Sequence, residues 1–203
     1  LKVKIYVEGG GQGAHSSSLR AELRQGFQAL FIKAGFVGNL PSVIAAGSRN
    51  DAFNDFKTAI GKAKEDEMIL LLVDSEDAIA TSTKWEHVKN RDSWDKPDKA
   101  EEENLFFMVE CMESWFLADK DALKSFYGKG FKENSLPKTA NLESIKKTAI
   151  ITSLENATNN TTKGAYGKGA HSFKILAGLD ADKVKEHGKY SKEFFERIER
   201  INQ

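Results

Sequence analysis

The chain has 203 residues, 40% of them hydrophobic and 30% charged, enough to bury one sizeable core. Its 30 Lys and Arg cancel its 30 Asp and Glu, so the chain as a whole exerts no pull on a polyanion, and any such ligand must be held by a local patch. A single cysteine, Cys111, excludes an intrachain disulfide framework, and no apolar stretch approaches the roughly 20 residues that cross a bilayer. A cytoplasmic protein without a secretory leader is expected, because the chain opens directly on a strand pattern.

The first apolar run, Val3 to Val7, ends on Glu8 and is followed by Gly9-Gly10-Gly11-Gln12-Gly13-Ala14-His15. Ser16 to Ser18 are expected caps for a helix through Phe36, with Leu19, Leu23, Phe27, Leu30 and Phe31 at helical spacing. Gly35, Gly38 and Pro41 turn the chain into a short strand at 42–46, and Ser48 to Asp51 start a second helix carrying Phe53, Phe56 and Ile60. The third run, Met68 to Val73, is continuous and apolar, as a buried parallel strand should be, and it ends on Asp74-Ser75-Glu76-Asp77. This β-α-β-α-β order predicts an α/β fold, a Rossmann-like, mainly parallel sheet flanked by helices.

From 79 to 104 the periodicity is lost, and a long inserted loop is expected there, with Trp85 and Trp94 either stacking on a base or packing on the body. A fourth apolar run, Leu105 to Val109, leads into Glu110-Cys111-Met112-Glu113-Ser114-Trp115 and one helix over 114–127. The division expected is a core at 1–127 and a helical C-terminal extension at 128–203 packed on it, with helices near 142–157, 172–178, 181–186 and 191–201.

Open α/β sheets bind ligands beyond the carboxyl ends of their strands, where Glu8, Asp74 and Glu76 are expected to converge. Asp74 and Glu76 alternate, so both face one side if the strand continues. Carboxylates gathered this way repel unless a proton or cation separates them, and Mg2+ held by acids and phosphate oxygens is the usual solution. Glu113 fits a metal ligand and a helix cap equally well. Gly9 and Gly10 can bring backbone amides to a phosphate, although neither the P-loop nor the dinucleotide template fits. Residues 74–121 hold 14 acids against 6 bases, whereas 159–179 hold Lys163, Lys168, His171 and Lys174 with no acid. An acidic centre beside a basic phosphate clamp is the economical reading; a solvated Lys and Gly loop is the plain alternative.

The order strand-Glu8-Gly9, then strand-Asp74-x-Glu76, resembles the TOPRIM domain of topoisomerases, primases and OLD-type nucleases, with Glu76 where the pattern has a second Asp. Tyr6-Val7-Glu8-Gly9, Leu72-Val73-Asp74, the run from Glu110 to Asp119 and Lys163-Gly164-Ala165-Tyr166-Gly167-Lys168 are similar to the bacterial TOPRIM-like family called domain of unknown function 4276. The resemblance implies Mg2+- or Mn2+-dependent phosphodiester hydrolysis of RNA or DNA in phage defence, beside an operon-encoded ATPase. It implies Glu8 as general acid/base or ligand and Asp74 and Glu76 as metal ligands. Lys163, Lys168 or His171 would then balance charge on the phosphate. Two alternatives stand beside it: a non-catalytic module binding nucleotide, nucleic acid or an ATPase, and a small-phosphate hydrolase with the two-Trp loop as lid.

Overall fold

The computed structural model describes residues 1–11, 15–36 and 38–202, without the side chains of 201 and 202. Gln12, Gly13 and Ala14 of the glycine-rich segment lie outside the described residues. Four strands, β1 (Lys2–Glu8), β2 (Ser42–Gly47), β3 (Glu67–Asp74) and β4 (Leu105–Met108), form one sheet in the order β2-β1-β3-β4. Every pairing is parallel, with Ile5 opposite Val43 and Leu70, and Leu72 opposite Phe106. This is the Rossmann-like α/β architecture that the apolar runs predict.

Side-chain alternation along β3 divides the core in two. Leu70 and Leu72 join Val3, Ile5 and Phe106 on one face. Ile69, Leu71 and Val73 join Leu105 and Phe107 on the other. A strand with both faces covered has no polar position to spare, which is why β3 reads as an unbroken apolar run. On the first face lie α1 (Ser16–Lys33), α4 (Glu113–Ala118), α5 (Lys120–Tyr127), α6 (Lys147–Thr158), α7 (Ser172–Gly178), α8 (Ala181–Glu186) and α9 (Lys189–Asn202). Phe27, Phe31, Trp115, Phe194 and Phe195 form its aromatic centre. On the second face, α2 (Arg49–Gly61) and α3 (Lys84–Asp92) supply Phe53, Phe56, Trp85 and Val88. Among the described residues no helix is long and apolar enough to cross a membrane.

Three expectations need correction. Residues 79–104 are not a loop throughout: Thr83 caps α3 by accepting the Glu86 N–H, and Trp85 and Trp94 are each only 5% exposed. Trp94 stacks on Phe53 with ring centroids 4.4 Å apart, and its indole N–H donates to Asn50 at 3.1 Å. Trp85 packs on Phe56 and donates to the Glu101 carbonyl. Neither indole is available as a base platform or as a lid. The single helix expected at 114–127 is two, because Asp119 ends α4 and caps α5 by accepting the Ala122 N–H at 3.2 Å. The same carboxylate takes the Asp180 N–H at 2.9 Å and Lys183 Nζ at 2.8 Å, tying α8 to the break. Finally, α1 begins on Ser16 after His15 without a side-chain cap, so the serines form its first turn. The start of α2 does follow expectation: Ser48 and Asp51 form a reciprocal capping box.

Gly26 faces α7 from the middle of α1, where an added Cβ would lie 2.8 Å from the Phe173 carbonyl oxygen. Gly61 ends α2 in open space. Gly26→Ala is therefore expected to lower stability by about 1–3 kcal/mol through overpacking. Gly61→Ala should raise it by about 0.5–1 kcal/mol by restricting the unfolded chain. Urea midpoints of both variants test the close approach of α1 and α7; stabilisation by Gly26→Ala would refute it.

Candidate functional site

In the order β2-β1-β3-β4 the chain leaves β1 through α1 on one face and reaches β3 through α2 on the other. The crevice between β1 and β3 is the switch point of the sheet, where carboxyl ends open onto a ligand. Glu8 ends β1 and Asp74 ends β3. Glu8, Asp74 and Glu76 each place one carboxylate oxygen so that all three lie within 4.8 Å of one another. The sequence thus brings its three leading candidates together.

Glu76 arrives by a different route from the one expected. β3 stops at Asp74, and Glu76 adopts φ +67, a left-handed conformation rare for a residue with a Cβ. Its N–H donates to the Glu110 carbonyl at 2.8 Å. A turn, and not strand alternation, delivers its carboxylate.

Each acid is fixed by donors. Asp74, 5% exposed, accepts the Met112 N–H on Oδ1 at 2.8 Å, and its Oδ2 faces Lys147 Nζ at 3.7 Å and Lys168 Nζ at 4.0 Å. Glu8 Oε1 accepts the Asp74 N–H at 2.5 Å and lies 3.4 Å from Arg49 Nη1. Arg49 is itself held by both oxygens of Asp92 at 3.0 and 2.9 Å, donates to the Asp74 carbonyl, and lies over the Trp94 ring. Lys147 Nζ donates to Glu76 Oε2 at 2.6 Å. Glu110 secures the start of α6 by accepting the Lys147 N–H at 2.8 Å and Lys146 Nζ at 3.2 Å.

Other candidates fall elsewhere. Glu113 is fully buried in the first turn of α4, outside the three-carboxylate group. Its Oε1 accepts the Tyr166 hydroxyl at 2.7 Å and lies 3.9 Å from Lys168 Nζ, while Oε2 has no hydrogen-bond partner. Lys168 reaches the acids, but Lys163, His171 and Lys174 do not. Lys163 lies over the Phe126 ring, Lys174 is exposed on α7, and His171 accepts the Gly167 N–H on Nδ1 beside the Tyr127 hydroxyl. Gly9 and Gly10 line the crevice, yet the Gly9 N–H is taken by the Gly47 carbonyl at 2.8 Å and cannot serve a phosphate.

Sequence reasoning assigned no role to Arg49, Lys147 or Tyr166. Two of them carried a signal: Arg49 is the first residue of α2 and Lys147 the first of α6, where the helix dipole disfavours positive charge. A cation placed there needs a strong local anion.

Burial raises the Asp74 carboxyl well above the usual range, the Glu8 charge adds to the rise, and Lys168 and Lys147 only partly oppose it. Burial likewise raises Glu8 despite Arg49 and the Asp74 N–H. Glu76 moves down, because hydrogen bonding and charge from Lys147 outweigh its burial. Burial and the surrounding lysines, Lys174 and Lys163, push His171 down, toward the neutral ring. Burial and Glu113 push the Tyr166 and Cys111 protons out of reach of neutral pH.

The family described as Domain of unknown function (DUF4276) matches residues 7–199. The chain belongs to that family. No curated protein and no solved structure matches it. The DUF4276 match takes in all three acids of the cluster together with Arg49, Lys147 and Lys168.

A raised carboxyl pKa means that the native state holds protons the unfolded chain has released. The contribution of Asp74 is therefore full below about pH 4, the unfolded value, and is lost as pH rises through its raised folded pKa. Asp74→Asn should gain stability relative to the parent as pH climbs from 4 to 8. Mg2+ or Mn2+ should stabilise the parent in the upper part of that window and leave Asp74→Asn unchanged. Thermal melts with and without the cation decide this, and a parent protein indifferent to both cations at pH 8 would refute a metal site here.

Proposed function

We propose that this DUF4276 protein is a Mg2+-dependent phosphodiesterase that hydrolyses nucleic acid, RNA or DNA, through a TOPRIM-like acidic centre. The observation that carries this reading is the meeting of Glu8, Asp74 and Glu76 within 4.8 Å at the ends of two adjacent strands. Motif resemblance supports a setting in phage defence in the cytoplasm, beside an operon-encoded ATPase.

The residues fit the cation. Three hard oxygen donors converge, and burial of Asp74 beside Glu8 disfavours two free negative charges, so a divalent cation would replace the proton that the metal-free site needs. Asp74 and Glu76 would hold Mg2+ or Mn2+, which when bound polarises a phosphoryl oxygen and acidifies water. Glu8 Oε1 is committed to the Asp74 N–H and Arg49, leaving Oε2 to take the proton of the attacking water. Its pKa, raised by burial, makes it a stronger base toward that proton than a free carboxylate. Arg49 holds the Glu8 carboxylate in place through its own pair with Asp92. Lys168, exposed at the rim, would meet the phosphate oxygens and offset their charge.

One observation favours a second reading, a non-catalytic module that binds nucleotide, nucleic acid or an ATPase. Lys147 and Lys168 already offset the acids with ammonium groups. The two readings diverge when the protein is incubated with single- and double-stranded RNA and DNA in Mg2+ or Mn2+. Expected is cleavage that EDTA and Asp74→Asn abolish and that Glu8→Gln slows by roughly 10²–10⁴-fold, with circular dichroism unchanged. Cleavage persisting in Asp74→Asn would move the chemistry away from this cluster. Absence of cleavage, with the ATPase added as well, would favour the binding module.

A further inference from the structure

The acids open into a pocket of about 340 Å³ that is also lined by the apolar side chains of Leu19, Met108, Met112 and Phe173. Gly10, Gly11 and Gly47 line it without a side chain to fill it. Their bareness is structural as well as spatial: at Gly47, with φ +97, a Cβ would come within 2.5 Å of the Arg20 guanidinium, and at Gly10 within 2.3 Å of Arg20 Cγ. Glu8, Asp74, Glu76 and Lys168 stand around the same cavity. A phosphate group alone would use the charged side chains and leave the apolar lining uncovered. Ligand pockets run from about 300 to 1,000 Å³, so this one has the capacity for a single base with its sugar and no room for a base pair.

Resting on the phosphodiesterase reading, we infer that this pocket holds one unpaired nucleobase attached to the phosphate at the acids. The protein is thereby selective for single-stranded or frayed nucleic acid over continuous duplex. A stacked base pair cannot reach Phe173 or the two methionines, whereas an extruded base can lie against them. The walls are hydrocarbon, thioether and one aromatic ring, which suit the flat face of any base. The nearby Ser172 hydroxyl is fully buried and already accepts the Gly169 N–H at 2.7 Å. Recognition is therefore by stacking, with little preference among the four bases.

Leu19 is half-buried at the rim in the first turn of α1, so Leu19→Trp can fill the pocket with little cost to the core. The test compares cleavage of one labelled oligonucleotide, single-stranded and annealed to its complement, by the parent and by Leu19→Trp in Mg2+. In parallel, calorimetry compares AMP with ribose 5-phosphate on the parent protein. Expected are single-strand cleavage on the order of tenfold or more above duplex, loss of that advantage in folded Leu19→Trp, and AMP binding about tenfold tighter than ribose 5-phosphate. Equal cleavage of both substrates, or a folded Leu19→Trp that retains the advantage, overturns the base pocket and leaves the phosphodiesterase standing. If no substrate is cut even with the ATPase added, the nuclease reading fails and calorimetry alone judges the pocket: a preference for AMP upholds it, and equal affinities overturn it.

Discussion

Two carboxylates buried side by side at the ends of parallel strands cannot both stay ionised without a cation, and the surroundings of Glu8 and Asp74 are arranged around that constraint. The Asp74 backbone N–H points at Glu8, the Met112 N–H points at Asp74, and Arg49, Lys147 and Lys168 approach from three different elements. Desolvation still wins, since both acids hold their protons more tightly than in water. A site that remains short of positive charge after three cations have been recruited is one in which a divalent ion has something to gain.

The second face of the sheet serves this arrangement. Residues 84–95 lie far from the acids in sequence, yet they bury two indoles so that Asp92 is presented to Arg49. Arg49 then touches Glu8, the Asp74 carbonyl and the Trp94 ring together. A planar guanidinium with five donors can serve several partners at fixed angles, which a lysine could not. The aromatic packing beneath holds the Arg49 guanidinium beside Glu8.

The fold was legible where one face pattern dominates. β3 and β4 read as continuous apolar runs because helices cover both sides, β1 is buried only at alternate positions and carries Lys4, and the acidic exits of β1 and β3 marked the crevice. The 79–104 segment was not legible, because α3 buries only Trp85, His87 and Val88 of its nine residues, too few to show a helical period. Among the site residues, acids at strand exits could be found, since strand ends fix their place. Arg49 and Lys147 meet partners 41 and 71 residues away, a distance that periodicity does not encode. Of Lys163, Lys168, His171 and Lys174, only Lys168 comes within 4.0 Å of the clustered acids, because neighbours in a turn-rich segment point in different directions.

The parts of the crevice are spread from Glu8 to Phe173, so four-fifths of the chain must be in place before it closes. Parallel pairing requires long crossovers, and such non-local contacts form late in folding. During synthesis the acids of β1 and β3 emerge well before Lys147 and Lys168, the cations that balance them. An incomplete chain therefore carries carboxylates with neither their counter-charges nor the wall contributed by α7. The crevice is completed only as the C-terminal helices dock.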